Sequence, residues 1–260
     1  MDKKGQIKEK QGIISIRKKL LAIIVPIVVA LMVALVLVAY RTSAEIIESY
    51  SKNLLESSVE NQSAQIEGWL NENIEAFQAV KAAIENTKPD DGQLQAILDG
   101  YYNYNSNYPN GLYIADSGGK VFRASEAPAD IGNPEDATWY QEGLTRVNMA
   151  VGSAYVNAQG ENVISASGIL HDGSGKTRVI SADMTLDRIS IIVNGFIEMK
   201  SAESFLVDGR DGTILANRDQ SLINKKIGGE GSSPFQKEVG EQITARNYEF
   251  GVLDGNMTVF

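Results

Sequence analysis

Residues 20–40 read LLAIIVPIVVALMVALVLVAY, 21 positions without a charged side chain. As an α-helix this stretch reaches about 30 Å, the thickness of a bilayer's hydrocarbon core. Inside lipid every backbone N–H and C=O must be satisfied within the segment, so a helix is the only single-pass solution. Pro26 is tolerated in such a helix, with a kink as its expected consequence. A cleaved secretory signal would have an apolar run of about 7–15 residues closed by a small-x-small site. This run is longer and ends in Val38-Ala39-Tyr40-Arg41, so it reads as a retained anchor.

The charges on either side orient it. Lys3, Lys4, Lys8, Lys10, Arg17, Lys18 and Lys19 precede the segment against only Asp2 and Glu9, while Arg41, Glu45 and Glu48 follow it. The excess of cations before the span predicts a cytoplasmic N-terminus and an extracytoplasmic portion from residue 41 onward. The chain holds 24 basic and 33 acidic residues. Removing the seven and two named before the span leaves 17 against 31, a net −14. So acidic a surface repels phosphate and excludes nucleic acid as a partner; solubility alone accounts for it.

Beyond the anchor lie enough residues for one large or two small domains with real cores. Cysteine is absent, which removes disulfides, thiolate catalysis and zinc–thiolate sites together. The single histidine, His171, lies in the turn-like run His171-Asp172-Gly173-Ser174-Gly175-Lys176 and is expected at the surface. One histidine makes no His-rich metal site, and no serine stands in a G-x-S-x-G setting. No catalytic constellation, metal site or cofactor motif is visible. Gly173-Ser174-Gly175-Lys176-Thr177 fails as a phosphate loop, since Leu170 stands where the first glycine belongs and a strand follows instead of a helix.

Residues 41–86 contain no proline, and Gly68 is their one glycine. Ile47, Tyr50, Leu54, Val59, Ile66, Leu70, Ile74, Phe77, Val80 and Ile84 recur mostly at three or four, predicting one helix with an apolar stripe. It would run roughly 65–70 Å. Two readings stay open: a dimerising, signal-carrying spine, or a helix packed on its own domain. The polar middle, 51–65, limits any coiled coil. Turn residues at 86–92 end the helix, and a short helix over about 92–104 follows.

From residue 111 the period becomes two. Tyr113-Ile114-Ala115, the turn 116–119 and Lys120-Val121-Phe122 predict a β-hairpin. About 92 residues later Phe205-Leu206-Val207-Asp208, a turn at 209–212 and Thr213-Ile214-Leu215 repeat the plan with one residue inserted, which points to two similar modules in tandem. Between them a turn from Gly132 leads to a short helix at Trp139-Tyr140. Strands follow at about 151–156, 162–170 and 177–183, joined by short turns into an antiparallel sheet. An amphipathic helix comes next, with Leu186, Ile189, Val193, Phe196 and Ile197 on its face and Thr185 as candidate N-cap. Another opens at Ser233-Pro234, lined by Phe235, Val239 and Ile243. The end, 257–260, reads as a strand.

This order of anchor, long helix, Tyr113-Ile114-Ala115-Asp116 hairpin with Gly119-Lys120-Val121, Trp139-Tyr140 box and strand ending Ala182-Asp183-Met184-Thr185-Leu186 resembles the double-Cache sensor regions of bacterial chemoreceptors (methyl-accepting chemotaxis proteins). The likeness covers about 41–260. It implies an α+β fold in which two PAS-like antiparallel-sheet modules stack along a long stalk helix. The divisions expected are a basic cytoplasmic tail 1–19, transmembrane helix 20–40, long helix 41–86, ligand-binding distal module 87–184, connecting helix 185–200 and an incomplete proximal module 201–260. Such receptors return through a second membrane helix to a signalling rod. No second apolar stretch of spanning length occurs here, so the sequence reads as the N-terminal part of such a receptor. The same regions occur in sensor histidine kinases and diguanylate cyclases, which remain alternatives, as does, from another class, an anchored surface hydrolase.

Site residues carry over singly. Family members that bind amino acids grip the carboxylate with an arginine two before the tryptophan and have a tyrosine five residues earlier; those positions are Ala137 and Gly132 here. Trp139, Tyr140 and Tyr155 match. Asn157 stands where an aspartate is usual, and Asp183 matches the aspartate that holds the ligand's ammonium. Core packing for the aromatics and helix capping for Asp183 are the plain alternatives. The apolar stripe motivates a parallel homodimer along 41–86 in the membrane, and the missing cysteine and nucleophile motif with the lone histidine favour a sensor over an enzyme. Its ligand would be small and polar: an amine, a nucleobase-like compound or, if Arg123 or Arg146 replaces the missing fork, an amino-acid-related one.

Overall fold

The computed structural model describes residues 16–128, 133–195 and 202–260. The basic residues before 16, the turn position Gly132 and the face residues Phe196 and Ile197 lie outside the described residues. Contacts divide the chain into two units, up to Leu54 and from Leu55 on.

Helix α1, Ile16–Thr87, is unbroken over 72 residues and includes Pro26. In the first unit every described residue from 16 to 50 is exposed, the apolar run included. By length and composition this helix can cross a membrane. Within the second unit the stripe turns inward: Ile66, Phe77, Val80 and Ile84 are buried, with Trp69, Leu70 and Ile74 packed beside them. From Ile66 to Ile84 the helix therefore packs on its own domain, whereas Ile47 and Tyr50 stay exposed.

Helix α2, Asp91–Tyr101, starts at a capping box in which Asp90 and Gln93 each accept from the other's backbone N–H. It ends three residues earlier than its sequence suggests, because Tyr102 is extended and Asn103 takes a left-handed conformation, φ +53°. A five-stranded antiparallel sheet follows: β1 Leu112–Asp116, β2 Val121–Phe122, β3 Ala150–Val156, β4 Asn162–Leu170 and β5 Arg178–Thr185, in the order β2-β1-β5-β4-β3. Between β2 and β3 lies the short helix α3, Thr138–Gly143. His171 is exposed in the β4–β5 turn, as expected. Helix α4, Leu186–Asn194, follows β5 directly.

The strand period of two gives the sheet two distinct faces. On one, Leu112, Ile114, Ile164, Ala166, Ile180, Ala182 and Met184 form a core with α1, α2 and α4. Each fully buried Ile, Leu or Phe there contributes about 1.5–3 kcal/mol. On the other, Tyr113, Ala115 and Val179 meet Trp139 and Tyr140 of α3.

The second hairpin is β6 Phe205–Val207 with β7 Ile214–Asn217; its turn is one residue longer than the first, Asp208 N reaching Thr213 O where Asp116 N reaches Lys120 O, and its register shifts between Leu206 and Val207. Helix α5, Pro234–Ala245, begins with a Ser233–Gln236 capping box. Ile214, Ile227, Val239 and Ile243 form a separate cluster. Near the end the chain makes a hairpin, β8 Gly251–Leu253 with β9 Asn256–Thr258; β9 overlaps the strand expected at 257–260, and β8 before it was not expected. Asp254 and Gly255, both at positive φ, form its two-residue turn.

Candidate functional site

Asp183 is not a helix cap. β5 runs two residues past it, and the N-cap position of α4 falls to Thr185, whose side chain makes no capping bond. In the sheet Asp183 lies opposite Ser165 of β4. Its side chain emerges on the α3 face, because its neighbours Ala182 and Met184 belong to the opposite core.

Three hydroxyls converge on one of its oxygens. Tyr113 Oη and Ser165 Oγ donate to Oδ1 at 2.5 Å each, and Tyr155 Oη lies at 2.9 Å. Tyr155 and Ser165 are themselves 2.7 Å apart, and either can donate to the other. Among the described residues no hydrogen bond reaches Oδ2, and none of the ion pairs there includes Asp183. Burial pushes the Asp183 carboxyl above its ordinary value, against the pull of the three hydroxyls. Burial likewise raises Tyr113 and Tyr155, with the Asp183 charge adding to it, so both phenols remain protonated donors.

The aromatic wall is edge-to-face. The Trp139 ring stands 4.8 Å from Tyr113 at 85°, and Tyr140 stands 5.6 Å from Trp139 at 86°. Trp139 is 2% exposed and Tyr140 4%. The contact to Tyr113 ties the wall directly to the Asp183 cluster.

Close approach fixes α3 on the sheet. A Cβ at Gly143 would meet Val179 Cγ1 at 2.4 Å and Ser167 Cβ at 3.2 Å, so only glycine admits this seat. The same end of α3 is held by Glu142, whose carboxylate accepts from Ser153 N (3.0 Å) and Ser153 Oγ (2.7 Å) and pairs with Arg146 at 3.2 Å. Those contacts meet the irregular stretch of β3 between Val151 and Ala154. There a Cβ on Gly152 would collide with Glu142 Oε2.

Of the residues expected in the site, Trp139, Tyr140, Tyr155 and Asp183 share the α3 face of the sheet. The Asn157 side chain is occupied in the β3–β4 turn, accepting from Gln159 N and Glu161 N and donating to Glu161 Oε2. Neither arginine stands ready as a carboxylate fork. Arg123 donates to the carbonyls of Ala124 and Ala127, and Arg146 donates to Ala150 O and Glu142. Tyr113 and Ser165 are the site residues that sequence reasoning missed. Tyr113 opens the hairpin motif and its period-two position was readable; Ser165 needed the β4–β5 register. No group of three or more His, Asp or Glu able to hold a metal occurs among the described residues.

A family model described as Cache domain matches residues 39–253. Over 214 residues the chain is 27% identical to the methyl-accepting chemotaxis protein PscA of Pseudomonas syringae pv. tomato, covering 81% of this chain and 33% of that protein. The chain thus spans about a third of the length of this curated relative. Among solved structures it resembles the ligand-binding domain of the Pseudomonas fluorescens chemoreceptor CtaA in complex with L-valine, with 21% identity, 67% of this chain and 78% of that one covered, and a TM-score of 0.56. It also resembles that of the Pseudomonas aeruginosa amino-acid chemoreceptor PctC in complex with GABA, with 20% identity, 80% and 89% covered, and a TM-score of 0.58. At these identities the likeness is one of fold.

Proposed function

This chain belongs to the Cache domain family, and we propose that it is the membrane-anchored, extracytoplasmic sensing part of a chemoreceptor that binds a small ammonium-bearing molecule at Asp183. The observation that carries the proposal is a half-buried carboxylate with three neutral donors on one oxygen and no protein cation paired with it among the described residues. A desolvated anion without a counter-charge is costly, and a ligand cation relieves that cost. Aromatic faces such as Trp139 and Tyr140 suit a cation as well. The relatives agree in kind, since L-valine and GABA both carry an ammonium group.

In this reading the sheet of β1–β5 is the membrane-distal, ligand-binding module, about 87–184, and α4 leads toward a second PAS-like module from about 201. The separate cluster around Val239 and Ile243 supports a second core. Trp139, Tyr140, Tyr155 and Asp183 form the site, with Asn157 shaping the turn two residues beyond Tyr155. The apolar part of α1 spans the membrane with the N-terminus in the cytoplasm, exposed residues such as Ile47 and Tyr50 meet a second copy, and the role is sensing rather than catalysis.

Calorimetry of the full chain in lipid nanodiscs against small amines, amino acids, nucleobases and organic acids tests this. For the best ligand, Asp183→Ala should cost at least about 2 kcal/mol, the loss expected when a buried charged partner is removed. Unchanged affinity in both Asp183→Ala and Trp139→Ala would place the ligand elsewhere.

A further inference from the structure

The three hydroxyls on Asp183 do more than stabilise a charge. They all address Oδ1: Tyr113 from β1, Tyr155 from β3 and Ser165 from β4. Since Tyr155 and Ser165 can also donate to each other, Oδ1 receives two or three protons. Its acceptor capacity is then filled. Anchored from three strands, the carboxylate is also held in one orientation.

We propose that Tyr113 and Ser165 are specificity-determining residues that reserve Oδ1 for the protein and offer the ligand Oδ2 alone, so that the site selects an alkylammonium over a guanidinium or amidinium. This selectivity rests on Asp183 being the ammonium site proposed above and narrows what that site accepts. A guanidinium or amidinium binds a carboxylate best through two parallel N–H···O bonds, one to each oxygen. With Oδ1 saturated the second bond of that fork has no acceptor, and the donor meant for it is left unpaired on desolvation. An ammonium is a point charge with rotatable donors and needs one free oxygen. By the same geometry, a nucleobase edge that presents paired donors is disfavoured.

The probes are n-butylammonium and n-butylguanidinium chloride, which share one alkyl stem. Each is titrated calorimetrically into the full chain in nanodiscs, as wild type and as the Tyr113→Phe/Ser165→Ala double variant. Wild type should prefer the ammonium by at least about tenfold, the scale of one hydrogen bond to a charged group. In the double variant, where Oδ1 is opened, the preference should shrink toward parity. Both affinities are measured on one sample, so their ratio is unaffected if part of the variant is misfolded. If the wild type favours the guanidinium, or the ratio is the same in the double variant, the selectivity proposal fails. Binding of the ammonium that is still lost in Asp183→Ala would in that case leave the sensing site standing. Binding of neither probe to wild type would remove both.

Discussion

Replacing Gly143 by alanine tests how the aromatic wall is held. Helix propensity alone favours the change by roughly 0.5–1 kcal/mol. The structure predicts the opposite sign. The new Cβ would lie 2.4 Å from Val179 Cγ1, with Ser167 Cβ at 3.2 Å. Carbon atoms in contact sit at about 3.5–4.0 Å, so the shortfall toward Val179 is about 1.1–1.6 Å. Val179 is fully buried, and as a β-branched residue it has few rotamers with which to yield. α3 must therefore lift from the sheet, and overpacking of this kind costs about 1–3 kcal/mol. The lift would carry Trp139 and Tyr140 away from Tyr113. The assay is chemical denaturation followed by tryptophan fluorescence, with the double-mutant cycle Gly143→Ala, Val179→Ala. Val179→Ala should destabilise wild type but recover much of the loss in the Gly143→Ala background, a coupling of at least about 0.5 kcal/mol. Gly143→Ala that is neutral or stabilising, or two losses that simply add, would refute the seating of α3 described above.

Two further outcomes are expected. Because the folded pKa of Asp183 is raised, the native state binds more protons than the unfolded one above the ordinary carboxyl value of 3.8. Its contribution to stability is therefore greatest below that pH and declines as pH rises through the folded pKa. Melting of the ligand-free protein between pH 4 and 7 should show this decline, flattened in Asp183→Asn; an identical profile in the variant would contradict it. Cysteines placed at the exposed positions Ile47 or Tyr50 should cross-link between copies in membranes, whereas cysteines at the buried Phe77 or Ile84 should not; the reverse pattern would exclude the pairing.

Much of the fold was legible from local rules. An apolar run of 21 residues can only be a helix in lipid. The hairpins followed from period-two runs around glycine turns, and α5 from serine before proline. What local rules missed turned on backbone detail: the early stop of α2 at an extended Tyr102, and the strand β8 that the Asp254-Gly255 turn pairs with β9.

The site divides in the same way. Sequence by itself supplied the residue types, with Trp139, Tyr140, Tyr155 and Asp183 each at its place in a recognisable order, and it showed that position 137 lacks an arginine. Which of them meet was decided by tertiary structure. Only the β4–β5 register sets Ser165 opposite Asp183, and only the order β2-β1-β5-β4-β3 brings Tyr113 and Tyr155 in from opposite sides of the same carboxylate. The stripe on α1 is the complementary case. Its spacing announces a buried face, but whether that face meets the protein's own sheet or another copy depends on which apolar surface lies alongside it. From Ile66 to Ile84 that surface is the core packed on β1, β4 and β5. Periodicity records that a face is apolar; its partner is fixed by contacts between residues far apart in the chain.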